Sequence, residues 1–160
     1  MQHKYSLPEI GNLPLNVKFV ILQANWHSEI TDLMVSHCKQ VLAHYGFDDK
    51  FIIEYKAPGA LELPVLAKWC VEQHKQEENL VLICFGAIVK GETYHFNMVA
   101  DEVTRGLGRL AYEFTVPVIQ EVLAVESLEQ LRARAGDDEY NKGREAALAA
   151  LQLISVIKVV

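Results

Sequence analysis

The stretch GETYHF, residues 91–96, brings a glycine, an acid, a hydroxyl and an imidazole together directly after the apolar run LVLICFG. Gly91 lacks the Cβ that would hold a ligand away from the backbone. Glu92 and Thr93 stand where the free N–H groups of a starting helix point at an anion. In outline this is a phosphate cradle. His95 follows within the first turn, and an imidazole can both take and give a proton near neutral pH, so a proton shuttle beside a bound phosphate is the chemistry these residues allow. A plainer alternative competes with it, in which Thr93 caps the helix and His95 is a surface histidine.

Three other stretches carry polar groups worth placing. In NWHSE, residues 25–29, the indole of Trp26 is either a partly buried packing residue or a stacking platform for a flat heterocycle, with His27 beside it. APGALELP, residues 57–64, turns at Pro58 and Gly59 and sets Glu62 at the start of a helix, where the macrodipole alone favours a carboxylate. In VESLEQLR, Ser127 precedes Gln130 by three residues, a capping box and so a structural feature. There is no Walker loop, GxGxxG, GxSxG elbow or CxxC pair, so nucleotide, hydride and acyl-enzyme chemistry lose their usual supports.

The elements that must position these residues alternate simply. VKFVILQA (17–24), FIIEYKA (51–57), LVLICFG (80–86) and VPVIQEVLAV (116–125) are β-rich and apolar on both faces, as strands of a parallel sheet covered by helices must be. Between them, apolar residues recur at helical spacing over Ile30–Leu42, Leu63–Val71 and Met98–Leu110. Two further helical segments, LEQLRARA and KGREAALAALQLISVIKV, flank the polar loop GDDEYN. The expected fold is a three-layer α/β/α sandwich on a four-stranded parallel sheet with right-handed crossovers, flavodoxin-like in its layer order. Residues 1–16, with Pro8, Gly11 and Pro14, read as an extended N-terminal arm and residues 17–160 as a single domain. In such sheets ligands bind beyond the carboxyl ends of the strands, which is where NWHSE, APGALELP and GETYHF fall.

Composition narrows the partners. The chain has 160 residues, 51% of them apolar, enough for one packed core. Its formal net charge is −6 with no Lys/Arg run, which leaves no electrostatic footprint for nucleic acid or an anionic membrane. Cys38, Cys70 and Cys84 lie singly in apolar periodic segments and read as small buried hydrophobes, in keeping with a reducing cytoplasm. No stretch has the length of a signal peptide core or a membrane span, so a soluble, non-exported protein is expected.

PGALELP, GAIVKGETYHFNMVA and RARAGDDEYNKG, in this order, resemble the three hallmark blocks of the 6,7-dimethyl-8-ribityllumazine synthases of riboflavin biosynthesis, and the resemblance runs from about Lys18 to about Ile157. It implies condensation of 5-amino-6-ribitylaminouracil with 3,4-dihydroxy-2-butanone 4-phosphate, releasing phosphate and water, without metal or organic cofactor. By the same resemblance Trp26 stacks on the pyrimidine, where many members have Phe, and Ala60, Leu61 and Glu62 hold the ribityl chain. Ala87, Ile88 and Val89 meet the pyrimidine edge through backbone groups, and Gly91, Glu92 and Thr93 face the phosphate. Arg134 adds a fixed cation, His95 transfers protons, and Lys142 lies near the site. The resemblance further implies a homo-oligomer of pentamers in which the Gln120, Arg134 and Lys142 positions reach an adjacent subunit's pocket.

The chain departs from the family pattern after PVI, where an aromatic residue and a glycine are usual and Gln120 and Glu121 stand instead. Losing one stacking face costs on the order of 0.5–1.5 kcal/mol beyond area burial. Together with Trp26 this resembles a divergent bacterial branch with weaker turnover and assembly into decamers. Two readings compete with the enzyme. One is a relative that carries or senses riboflavin or a lumazine with little turnover. The other is a flavodoxin-like electron carrier, for which NWHSEIT is a poor phosphate loop.

Overall fold

The four apolar runs form four parallel strands, β1 (Lys18–Ala24), β2 (Ile52–Ala57), β3 (Leu80–Val89) and β4 (Val118–Val125), in the order β2-β1-β3-β4. The structure is a computed structural model describing residues 6–157; the first five residues of the expected arm and the last three of the expected domain lie outside the described residues. Parallel neighbours require a crossover after each strand, and here the crossovers are α1 (Ser28–His44), α2 (Leu63–Gln73) and α3 (His95–Phe114). After β4 come α4 (Leu128–Ala133) and α5 (Lys142–Ile157).

Side-chain alternation splits each strand between two cores. Phe19 and Ile21 of β1 join Ile83 and Phe85 of β3 against α1, α4 and α5, while Val20, Leu22 and Ala24 join Leu82 and Cys84 against α2 and α3. The two central strands are therefore apolar on both faces, which is why they read as unbroken runs. Each fully buried Leu, Ile or Phe contributes about 1.5–3 kcal/mol. All three cysteines are buried and unpaired; burial pushes the Cys70 thiol up to about 11 and Cys84 to about 12, and raises Cys38 further still, so none is a ready nucleophile.

β4 starts at Val118 rather than Val116 and α4 ends at Ala133 rather than Ala135, and two further differences from the sequence expectation bear on the site. β3 continues through Ala87, Ile88 and Val89 rather than ending at Gly86, because β4 pairs with it as far as Val89↔Val125. β1, on its other side, pairs with β3 only up to Gln23↔Phe85. The last three residues of β3 thus overhang β1, and their backbone groups on that side have no strand partner. The second difference concerns α3, which begins at His95 after Tyr94 with no side-chain cap, so Thr93 is not the N-cap. Ser127 does cap α4, accepting from the Gln130 N–H at 3.3 Å, while the Gln130 side chain accepts from Glu126 N rather than from Ser127.

The GDDEYNKG segment is held from within. Asn141 is fully buried: its amide donates to the carbonyls of Ala135 and Gly136 at 3.0 and 2.8 Å, and its Oδ1 accepts from the Gly143 and Arg144 N–H groups at 2.9 and 3.2 Å. One side chain satisfies the start of α5 and ties it to the preceding turn. At Gly143, α5 touches α1 backbone to backbone, and a Cβ there would sit 1.8 Å from the Met34 carbonyl oxygen. Gly143→Ala is therefore expected to push α5 off α1 and to cost about 3 kcal/mol in a denaturant titration. Gly108→Ala serves as the contrast: with nothing within 4 Å of its Cβ position, it should stabilise by about 0.5–1 kcal/mol through helix propensity alone.

Candidate functional site

Because the strands are parallel, the loops after β1, β2 and β3 and the start of α4 all open on one edge of the sheet. After β1 the chain turns at once. Ser28 N–H donates to the Asn25 carbonyl at 3.1 Å and His27 takes a left-handed conformation with φ 60°, so Trp26 stands at the corner of a tight turn. The indole is 68% exposed, which sets aside a packing role. Beneath this turn, buried Gln23 donates to Thr31 and Asp32 at 2.8 and 2.7 Å and accepts from Lys56 at 2.8 Å, so the ends of β1 and β2 are bound to the first turns of α1.

After β2, Ala60–Glu62 form a single 3-10 turn leading into α2, whose Pro64 occupies an early position that needs no N–H donor. Ala60 is buried, while Leu61 and Glu62 are exposed. The Glu62 carboxylate stands at the N-terminus of α2 without a capping bond, so its oxygens stay available to a ligand. Gly59 is where the first two loops meet. A Cβ on it would lie 3.0 Å from Glu62 Oε2 and 3.3 Å from Trp26 Cδ1. The bare backbone thus lets the carboxylate and the indole converge.

After β3 the overhang of Ala87, Ile88 and Val89 rises beside these two turns and offers open backbone donors and acceptors. Lys90 follows, its ammonium 3.1 Å from both oxygens of Glu126 after β4. Gly91, Glu92, Thr93 and His95 are all exposed, and Gly91 has open space where its Cβ would be. His95 lines a hollow of about 420 Å³ with Leu61, Tyr94, Met98, Val99 and Glu102. A larger hollow of about 700 Å³ lies farther along α3 between Thr104 and Glu113 and carries no imidazole.

The single chain gathers Trp26, Ala60, Leu61, Glu62, Ala87, Ile88, Val89, Gly91, Glu92, Thr93 and His95 at this edge. It does not bring Gln120, Arg134 or Lys142 to them. Gln120 lies mid-strand opposite Cys84, donating to Thr104 of α3 at 3.1 Å. Arg134 ends α4 as an exposed residue, and Lys142 opens α5 with its ammonium 2.7 Å from Glu145; both helices pack on the face opposite α3.

Glu121 points to this second face. Burial pushes its carboxyl up to about 7, with Lys142 pulling it down and Glu145 pushing it up. Lys142 is already engaged by Glu145, so its relief is partial. The departure at 121 is legible in the sequence; its environment is not, because it depends on α5 folding back over β4.

A parallel sheet in the order β2-β1-β3-β4, helices on both faces, and a site built from the loops past the strand ends define a doubly wound three-layer α/β protein with flavodoxin-like layers. Within that class, the sequence profile of the 6,7-dimethyl-8-ribityllumazine synthases matches residues 16–158, and the chain belongs to that family. Similar proteins include the 6,7-dimethyl-8-ribityllumazine synthase of Stenotrophomonas maltophilia strain K279a, 39% identical over 91% of this chain and 92% of its own length. Those of Xanthomonas campestris pv. campestris strain B100 and Xanthomonas euvesicatoria pv. vesicatoria strain 85-10 are 37% and 36% identical over the same shares. Among the described residues no helix is long and apolar enough to cross a membrane.

The raised Glu121 carboxyl has a signed consequence. An acid that holds its proton more tightly in the fold than its ordinary 4.5 adds most stability below that value and loses it as pH rises toward about 7. Glu121→Gln should match wild type near pH ~4 and exceed it by about 1–2 kcal/mol near pH ~8, a range that discounts for partial solvent access. Denaturant midpoints at the two pH values measure the gap.

Proposed function

We infer that this protein condenses 5-amino-6-ribitylaminouracil with 3,4-dihydroxy-2-butanone 4-phosphate to 6,7-dimethyl-8-ribityllumazine, releasing phosphate and water. The observation that carries the reading is the pairing of family membership over residues 16–158 with an exposed Gly91–His95 turn at a helix start, open for an anion and a proton shuttle side by side. In this reading Trp26 stacks on the pyrimidine, Ala60, Leu61 and Glu62 hold the ribityl chain, and Ala87, Ile88 and Val89 hydrogen-bond the ring edge from the overhanging strand. Gly91, Glu92 and Thr93 cradle the phosphate. His95 moves protons during Schiff-base formation and phosphate loss. The enzyme works in the cytoplasm, where its three free thiols stay reduced.

Arg134, Lys142 and Gln120 complete the site from a neighbouring copy in a five-membered ring. Two observations support this: these residues sit apart from His95 in the single chain, and α2, α3 and the turn before each leave the large apolar side chains Leu61, Val65, Trp69, Tyr94, Met98 and Tyr112 exposed, the kind of face that packs on a second copy. Arg134 then supplies the planar fork that suits phosphate. Gln120 and Glu121 leave one face of the heterocycle without an aromatic partner, so weak turnover is expected. Assembly stops at a pentamer or a pair of pentamers.

The test mixes purified protein with both substrates and follows lumazine absorbance and released phosphate together. Tight binding without product would instead assign a carrier role. His95→Ala should lower kcat by about 10²–10⁴-fold with little change in substrate affinity, and an unchanged kcat would remove His95 from the mechanism. For the shared site, inactive His95→Ala and Arg134→Ala chains are unfolded and refolded together. Mixed rings confirmed by native mass spectrometry should recover part of the activity, since some interfaces pair an intact His95 with an intact Arg134.

A further inference from the structure

The indole at position 26 differs from a phenyl ring in more than area, since it carries one N–H donor. Its pyrrole edge faces Gly59: a Cβ there would lie 3.3 Å from Trp26 Cδ1 and 3.6 Å from Nε1, with Glu62 Oε2 at 3.0 Å from the same point. A donor and an ionisable acceptor therefore converge on one bare stretch of backbone. Among the described residues neither side chain has a hydrogen-bond partner, although Glu62 stands at a helix start where a capping bond was available to it. The turn that carries Trp26 is fixed from below by the Gln23, Asp32 and Lys56 network, so the indole is held at this corner by its own backbone.

We propose that the Trp26 N–H and the Glu62 carboxylate act as a matched donor and acceptor for one hydroxyl, or two vicinal hydroxyls, of a polyol chain, making Trp26 a determinant of ligand specificity as well as a stacking surface. This rests on the substrate reading above and adds to it. A hydroxyl accepts from the indole with its oxygen and donates to the carboxylate with its hydrogen, so the pair selects a group that does both. A phenyl ring at position 26 can stack but cannot complete the pair. Gly59 keeps the space open, because any side chain there would crowd both partners.

The experiment compares two probes on the folded assembly by fluorescence titration: 6,7-dimethyl-8-ribityllumazine, which has the polyol, and 6,7,8-trimethyllumazine, which keeps the ring and lacks it. Trp26→Phe reduces stacking for both, so the ratio of their affinities is the readout. The proposal expects the preference for the ribityl compound to fall about 3–10-fold in Trp26→Phe, in line with the loss of one neutral hydrogen bond. It also expects Glu62→Gln combined with Trp26→Phe to lower the preference by less than the product of the single changes. Equal weakening of both probes would show that Trp26 only stacks and would overturn the proposal. If the unaltered protein binds trimethyllumazine without preferring the ribityl compound, the polyol pair is absent although the ring site stands. If it binds neither, the substrate reading itself fails and takes this inference with it.

Discussion

Parallel strand pairing is the constraint on which everything else in this molecule depends. A strand that must run beside its neighbour in the same direction cannot return by a hairpin, so the chain leaves each carboxyl end, crosses a face as a helix and re-enters at the opposite edge. The consequence is that Trp26, Glu62 and His95, far apart along the chain, belong to loops on one rim. The same pairing buries β1 and β3 on both faces and fixes the thickness of the body on which those loops stand. Chemistry at the rim therefore rests on a sheet that cannot move without breaking two cores at once.

The third hallmark block shows how recognition and construction share a motif. In RARAGDDEYNKG, Asn141 is committed to four backbone groups and Gly143 to a backbone contact with α1, so these two residues shape the loop rather than face a ligand. Arg134 before them is exposed, and Lys142 between them pairs its ammonium with Glu145 rather than with the loop. A segment can resemble a family for both reasons, and only the burial of each side chain separates them.

What can be read from the sequence follows the same division. The strands and helices are legible because burial on both faces leaves continuous apolar runs and burial on one leaves a helical period. The overhang of β3 is not, since Ala87, Ile88 and Val89 are apolar in any conformation and only the pairing with β4 extends the strand. The start of α3 falls later than Thr93 suggests because no side chain caps it. For Trp26 the sequence favours packing over stacking, and a left-handed His27, which no local pattern announces, turns the indole outward instead. The convergence of Trp26 and Glu62 over Gly59 joins residues from different loops, and sequence spacing carries no record of it.

The overhang of β3 also bears on how such a protein can drift. Its open hydrogen-bonding groups belong to the main chain, and every residue but proline presents the same ones. Point substitutions along Ala87–Val89 change the shape and greasiness of the wall but leave its pattern of donors and acceptors in place. To shift that pattern, a lineage must insert or delete a residue in β3 or slip its register against β4, and a slip of one residue would turn every side chain of the strand to the wrong core. The edge is thus written in strand length rather than in residue identity, and mutation erodes length far more slowly than it erodes letters.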